Sequence, residues 1–187
     1  MQNESKNLNE LIAPLKAVSA YRVLLTKRIC EVAELLRNDE MIKPLLDKIK
    51  KNQKILNDLQ EDLTSEYGLD TNILNTVFDI APQFCDYTLP LNVVTNLTEE
   101  SQLASNRMPN SLMIALSRAA KVGSQAQSEL INATKELSDK VMDVITKYNL
   151  MSLKLTFPTL KSRFDILNKQ IDHILNQILL CREMLDM

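Results

Sequence analysis

The chain is expected to be all-α: an elongated helical bundle of coiled-coil-like helical hairpins, with four main helices and a short connector helix. Three observations predict this. Residues suited to a helix seam recur at alternating steps of three and four over long stretches, which keeps one stripe of a helix facing a neighbour. Only 2 glycines and no Trp occur in 187 residues, which leaves too few turn formers and aromatics for a sheet-rich fold. Leu, Lys, Glu, Gln, Asn, Ala and Met dominate instead, and most of these are good helix formers. The spacing favours left-handed packing with crossing angles of roughly 20°.

The first helix is expected from about Leu8 to Arg37. Its stripe is Leu8, Leu11, Leu15, Val18, Arg22, Leu25, Ile29, Val32 and Leu36, with Ile12, Leu24 and Leu35 widening the apolar face. Pro14 either opens the helix proper or kinks it. Asn38-Asp39-Glu40 reads as a break with an N-cap signal, and Pro44 falls near the first turn of a second helix. That helix carries Ile42, Leu45, Ile49, Asn52, Leu56, Leu59 and Leu63 and ends near Tyr67-Gly68, where glycine suits a left-handed C-terminal residue. Residues 1–67 therefore read as an antiparallel hairpin, with straight continuation through Pro44 as the alternative.

Residues 68–110 form a Pro-containing connector with a short helix at Thr71–Ile80, capped by Asp70 or Thr71. Phe84, Tyr87, Leu89, Leu91 and Val94 follow around two prolines, either capping the bundle or binding a partner. The stretch 98–110 is the most loop-like. Residues 111–187 hold a long helix, opened by Ser111 and running to about Thr156, and a last helix from roughly Pro158 to Leu185. Pro158 marks a hairpin turn or a kink, because proline lacks the amide donor and disfavours helix at the residue before it. The long seam is Met113, Leu116, Ala120, Gly123, Gln127, Leu130, Thr134, Leu137, Val141, Val144, Tyr148, Met151 and Leu155; the last helix continues with Leu160, Phe164, Leu167, Ile171, Ile174, Ile178, Cys181 and Leu185. The long helix exceeds both N-terminal helices, so folding back is expected to leave part of its stripe uncovered.

Composition narrows the function classes. The formal net charge is −2, which gives no basic excess for nucleic acid. The charges balance at 11 and 11 over residues 1–66, and at 10 basic to 8 acidic over 111–187; the middle 67–110 is acidic, with 1 against 5. The N-terminal segment lacks an apolar signal core, and no run reaches the ~18 apolar residues of a membrane span. Three widely spaced cysteines, Cys30, Cys85 and Cys181, read as reduced thiols in an intracellular compartment, cytoplasm or nucleus.

No metal-ligand spacing, phosphate loop or nucleophile motif is present, so no catalytic residue, cofactor or metal is expected and a small-molecule ligand is disfavoured. His173 is the single histidine and stands without a convergent partner. Lys48, Lys50, Lys51 and Lys54 read as a solvated face or as a contact for an acidic partner or anionic membrane.

The candidate partner interface is Arg22, Asn52, Ala120, Gly123, Gln127, Leu130, Leu137, Val141 and Val144. Arg22 interrupts an apolar stripe: it either pairs with a partner carboxylate and fixes register or snorkels at a half-exposed position. Asn52 at a seam position likewise either specifies register or is exposed. Ala119, Ala120, Gly123, Ser124 and Ala126 permit close backbone approach, by a partner or by a helix of the same bundle.

These readings point to a non-enzymatic adaptor or scaffold subunit that packs heptad stripes against other helical subunits or against itself. The alternatives are a peripheral membrane, lipid-binding or pore-forming bundle, against which 4% aromatic content counts, and a focal-adhesion-type four-helix bundle that binds amphipathic peptides.

Overall fold

A computed structural model describes the backbone of residues 2–84 and 110–186 and the side chains of residues 10–81 and 111–180. Five helices and no strand occur among the described residues: α1 (Gln2–Leu35), α2 (Ile42–Tyr67), α3 (Thr71–Phe84), α4 (Asn110–Lys147) and α5 (Met151–Asp186). The chain is an all-α bundle, as its composition predicts.

α1 passes through Pro14 instead of starting there. Pro14 and Glu10, whose carbonyl loses its partner, are both exposed, so water can take up that acceptor. The buried positions are Ile12, Leu15, Ser19, Arg22, Thr26, Ile29 and Ala33, together with Leu25. They keep the three–four spacing but shift one residue from the expected stripe at Ser19 and Thr26. Leu24 and Leu35 do not widen the core. They lie roughly 200° round the helix from Arg22 and project into solvent.

Asp39 organises the first reversal. Its carboxylate accepts from the Met41 amide at 2.8 Å, and its carbonyl accepts from Ile42 at 3.2 Å and Lys43 at 3.3 Å. The result is a hairpin, not a straight continuation. Glu34 pairs with Lys50 and Arg37 with Asp47 at 4.0 Å next to the reversal, and Lys16 reaches Asp70, just beyond α2, at 3.6 Å, so the chain runs back antiparallel to α1. α2 ends on Gly68, at φ 70°, whose amide donates to the Thr64 carbonyl at 2.9 Å. Asp70 caps α3, its carboxylate accepting from the Asn72 amide at 2.9 Å.

The second reversal corrects the expected one. α4 stops at Lys147 and Asn149 takes φ 50°; asparagine tolerates the left-handed region better than most residues. The Leu150 amide reaches back to the Ile145 carbonyl at 3.0 Å, closing the end. Pro158 lies inside α5 and marks neither turn nor helix start. The acceptor it strands belongs to exposed Lys154.

α4 and α5 are antiparallel, with Lys161 reaching Asp139 at 3.2 Å. Yet each hairpin helix packs mainly on the other hairpin: α2 lies along α4 and α1 along α5. α3 is wedged between the hairpins and is buried at every residue from Ile73 to Ala81. It extends to Phe84, past the expected end at Ile80. The expected segments 1–67, 68–110 and 111–187 thus contribute to one hydrophobic core, and the helix of the connector is the centre of it. The remaining connector expectations, on Tyr87 to Val94 and the loop-like stretch, fall outside the described residues, as do the side chains of Phe84, Cys181 and Leu185.

Candidate functional site

The long seam is spent inside the molecule. From Leu116 to Val144 every position of the stripe is buried, including Ala120, Gly123, Gln127, Leu130, Leu137, Val141 and Val144. α2, α3 and α5 cover it, and only Met113, Tyr148, Met151 and Leu155 at its ends are exposed. Arg22 and Asn52 are also buried. None of the nine candidate interface residues is therefore free to meet a partner in this fold. The stripe is uncovered only at its ends and not at the nine candidate residues, because α3 adds to the cover expected from the N-terminal hairpin and the last helix.

The polar members of that set converge instead. Arg22 on α1 pairs with Asp79 on α3, and the two side chains are 5% and 2% exposed. The Ser19 hydroxyl also donates to Asp79. The Gln127 amide on α4 donates to Asp79 at 3.2 Å, and Arg22 donates to the Asn168 carbonyl oxygen on α5 at 3.3 Å. Asn168 in turn donates to the Phe164 carbonyl at 3.0 Å. A second tie joins α2 to α3, where the Gln60 amide donates to Asn75 at 2.7 Å. Asn75 and Asp79 stand one turn apart on α3 and fasten it to α1, α2 and α4, with α5 joined through Arg22. No buried side-chain nitrogen or oxygen among the described residues lacks a partner, which is the condition for a polar core to be tolerated.

Sequence reasoning singled out Arg22 and Gln127 but missed Asp79, Asn75, Ser19 and Asn168. A signal existed: Asn75 and Asp79 are spaced by four within the largely apolar run Ile73–Ala81. Asn52 is buried, but its amide donates to the Lys48 carbonyl of its own helix at 3.0 Å, so it does not tie α2 to a neighbour.

A cleft of about 200 Å³ opens onto the cluster, with Gln127, Lys135, Asn168 and Asp172 around it. The ion pair at its base is engaged by Ser19, Gln127 and Asn168, which fasten it in place. Among the described residues no group of three or more His, Cys, Asp or Glu side chains could hold a metal ion. His173 is exposed beside Gln177. Burial, aided by the charge of Glu34, pushes the Cys30 thiol up to about 11, which suppresses its reactive thiolate. The hydrogen bond from Lys50 lowers Glu34 from the ordinary carboxylate value, and the hydrogen bond that Lys161 donates to Asp139 raises Lys161 above the ordinary lysine value. Of the lysine run, Lys50 is paired with Glu34, while Lys48, Lys51 and Lys54 are exposed.

Two outer surfaces bear on binding. One is a groove of about 360 Å³ between the C-terminal half of α2 and the N-terminal half of α4, with Leu59, Leu63, Ala119 and Val122 on its floor and Asp62 and Glu66 on its rim. The other is the end of the bundle that carries both reversals. No family model, curated protein or solved structure matches this chain. Among the described residues no helix is long and apolar enough to cross a membrane.

Proposed function

We propose that the chain is a non-enzymatic protein–protein interaction subunit, an adaptor or scaffold of a larger assembly, and that it receives an amphipathic helix in the α2–α4 groove. The observation that carries this reading is the groove itself. Its floor is apolar, with Val122 48% exposed, and it lies between two helices already fixed by the core. Small Ala115 and Ala119 on one wall allow a third helix to approach closely. Asp62 and Glu66 on the lining outnumber Arg118 across the groove. The complementary ligand is a helix with a Leu or Ala seam flanked by lysine or arginine. Packing through the long seam, against other helical subunits or a second copy, is less favoured, since its middle is buried among the described residues.

Nuclear magnetic resonance titration of the labelled chain tests the proposal, using a synthetic amphipathic helix with a Leu seam and lysine flanks. Shifts are expected to be confined to Leu59–Glu66 and Ala115–Val122, and to vanish in Val122→Glu. A peptide with glutamate flanks is expected to bind more weakly, and the difference to shrink with added salt. Shifts elsewhere, or binding indifferent to Val122→Glu, would refute it.

A further inference from the structure

The cleft between α4 and α5 ends on polar side chains that are themselves buried. Arg22 and Asp79 at its floor are 5% and 2% exposed, and Gln127 and Asn168 beside them are also buried. A void lined by such groups takes up water or a ligand, whereas voids that stay dry are apolar.

The floor has hydrogen-bonding capacity beyond what fastens the helices. A guanidinium carries five N–H groups, and among the described residues Arg22 gives one to Asp79 and one to Asn168. The Gln127 amide gives one N–H to Asp79, which leaves its carbonyl oxygen as an acceptor. Asn168 gives one N–H to Phe164 and keeps the other. Donors and an acceptor thus stand together, each already oriented by a buried partner, which lowers the ordering cost of binding.

Charge and shape select the ligand. The lining holds two cations, Arg22 and Lys135, and two anions, Asp79 and Asp172. The next charges along the same faces of α4 and α5 are Asp139, Lys161 and Asp165, and Lys161 bonds both carboxylates. An anion would meet Asp79 and Asp172, and a cation would meet Arg22 and Lys135; a neutral molecule meets no like charge. The volume of about 200 Å³ exceeds the ~150 Å³ that holds one benzene ring, so a single ring or a small fused pair fits. Phe78, Ile131, Ile171 and Leu175 supply apolar walls. A polyol would set hydroxyl groups against those walls, and a hydrocarbon would leave the polar floor unmatched. A heterocycle with apolar faces and a polar edge matches both.

We propose that this cleft binds a small neutral heterocycle with an amide-like edge, of the nucleobase class. Its ring nitrogen or carbonyl accepts from Arg22 and Asn168, its amino group donates to the Gln127 carbonyl, and its faces lie against Ile131 of α4 and Ile171 and Leu175 of α5. No sequence motif announces the site, because its parts come from four helices that meet only in the fold. It shares no residue with the α2–α4 groove.

Nuclear magnetic resonance titration of the labelled full chain with adenine and with cytosine, at millimolar concentration, tests it. Shifts are expected at Gln127–Lys135 and Asn168–Leu175 and around Arg22 and Asp79. Glycerol and benzene at the same concentration are expected to leave these signals in place. Ser128→Phe, at a half-buried position on the cleft wall, is expected to fill the cleft and abolish binding. Asn132→Trp, at its exposed mouth, is expected to do the same with helicity and melting unchanged. Gln127→Leu weakens binding about tenfold. Val122→Glu leaves it intact, so failure of the groove reading is scored separately. The proposal is overturned if neither base shifts these signals, if glycerol or benzene shifts them as strongly, or if a folded Ser128→Phe or Asn132→Trp chain binds as well as wild type.

Discussion

Asp79 is a single carboxylate set among apolar neighbours, and it receives hydrogen bonds from α1 and α4 while sitting on α3. Removing one member of a buried pair leaves the other charged and dry, whereas removing both replaces desolvated charge by packing. Arg22→Met and Asp79→Leu are each expected to cost about 3–5 kcal/mol in urea unfolding, and the double variant to recover most of that loss. If the losses simply add, the two residues are not acting as a pair. Arg22 was legible in the sequence as a charge in an apolar stripe, with pairing and snorkelling both open. Its partner was not, because Asp79 lies 57 residues away in a segment that reads as a connector, and nothing local says that this segment enters the core.

At the scale of the element, α3 decides the architecture. The small-residue patch on α4 exists to let α3 in. A β-carbon on Gly123 would fall within the van der Waals envelope of the Phe78 ring, and Phe78 is fully buried and cannot retreat. Gly123→Ala gains about 1 kcal/mol of helix propensity but overpacks a filled site at about 1–3 kcal/mol. Net destabilisation is expected in thermal or urea melts, with partial rescue by Phe78→Leu. A neutral or stabilised Gly123→Ala would show that the contact is loose. The sequence exposed the patch and offered a crossing within the bundle as one explanation. It could not identify the crossing helix, because glycine records that something comes close and not what does. Helix existence was legible throughout, yet the second reversal was misplaced by about nine residues. Proline looked the stronger breaker, but an asparagine that accepts left-handed geometry ended the helix first, and Pro158 was absorbed where its free acceptor meets water.

The whole molecule behaves as one core with α3 fastened to both hairpins, and that predicts one cooperative transition. Far-ultraviolet circular dichroism and alkylation of Cys30 are expected to share a urea midpoint; earlier labelling of Cys30 would mean that the α1–α2 hairpin opens separately. pH adds a second check. The folded thiol holds its proton up to about 11, against an ordinary value of 9.0. Its contribution is complete below the lower value. It declines as pH rises through that window, because only the unfolded thiol ionises there. Cys30→Ser is expected to flatten that decline relative to wild type.

The sequence by itself determined the helical class and placed a break at Asn38–Glu40, a helix end at Gly68 and a cap of α3 at Asp70 or Thr71. Each of these rests on interactions within a few residues: periodic side-chain spacing, an Asp at a turn, a glycine at positive φ. Only the tertiary structure decided that the middle of the seam is covered, that Arg22 and Gln127 meet Asp79, and that α2 and α4 leave a groove between them. A heptad stripe specifies that a helix must be buried along one side. Which helix covers it depends on how the two hairpins pair and on a short buried helix whose place is set by long-range contacts.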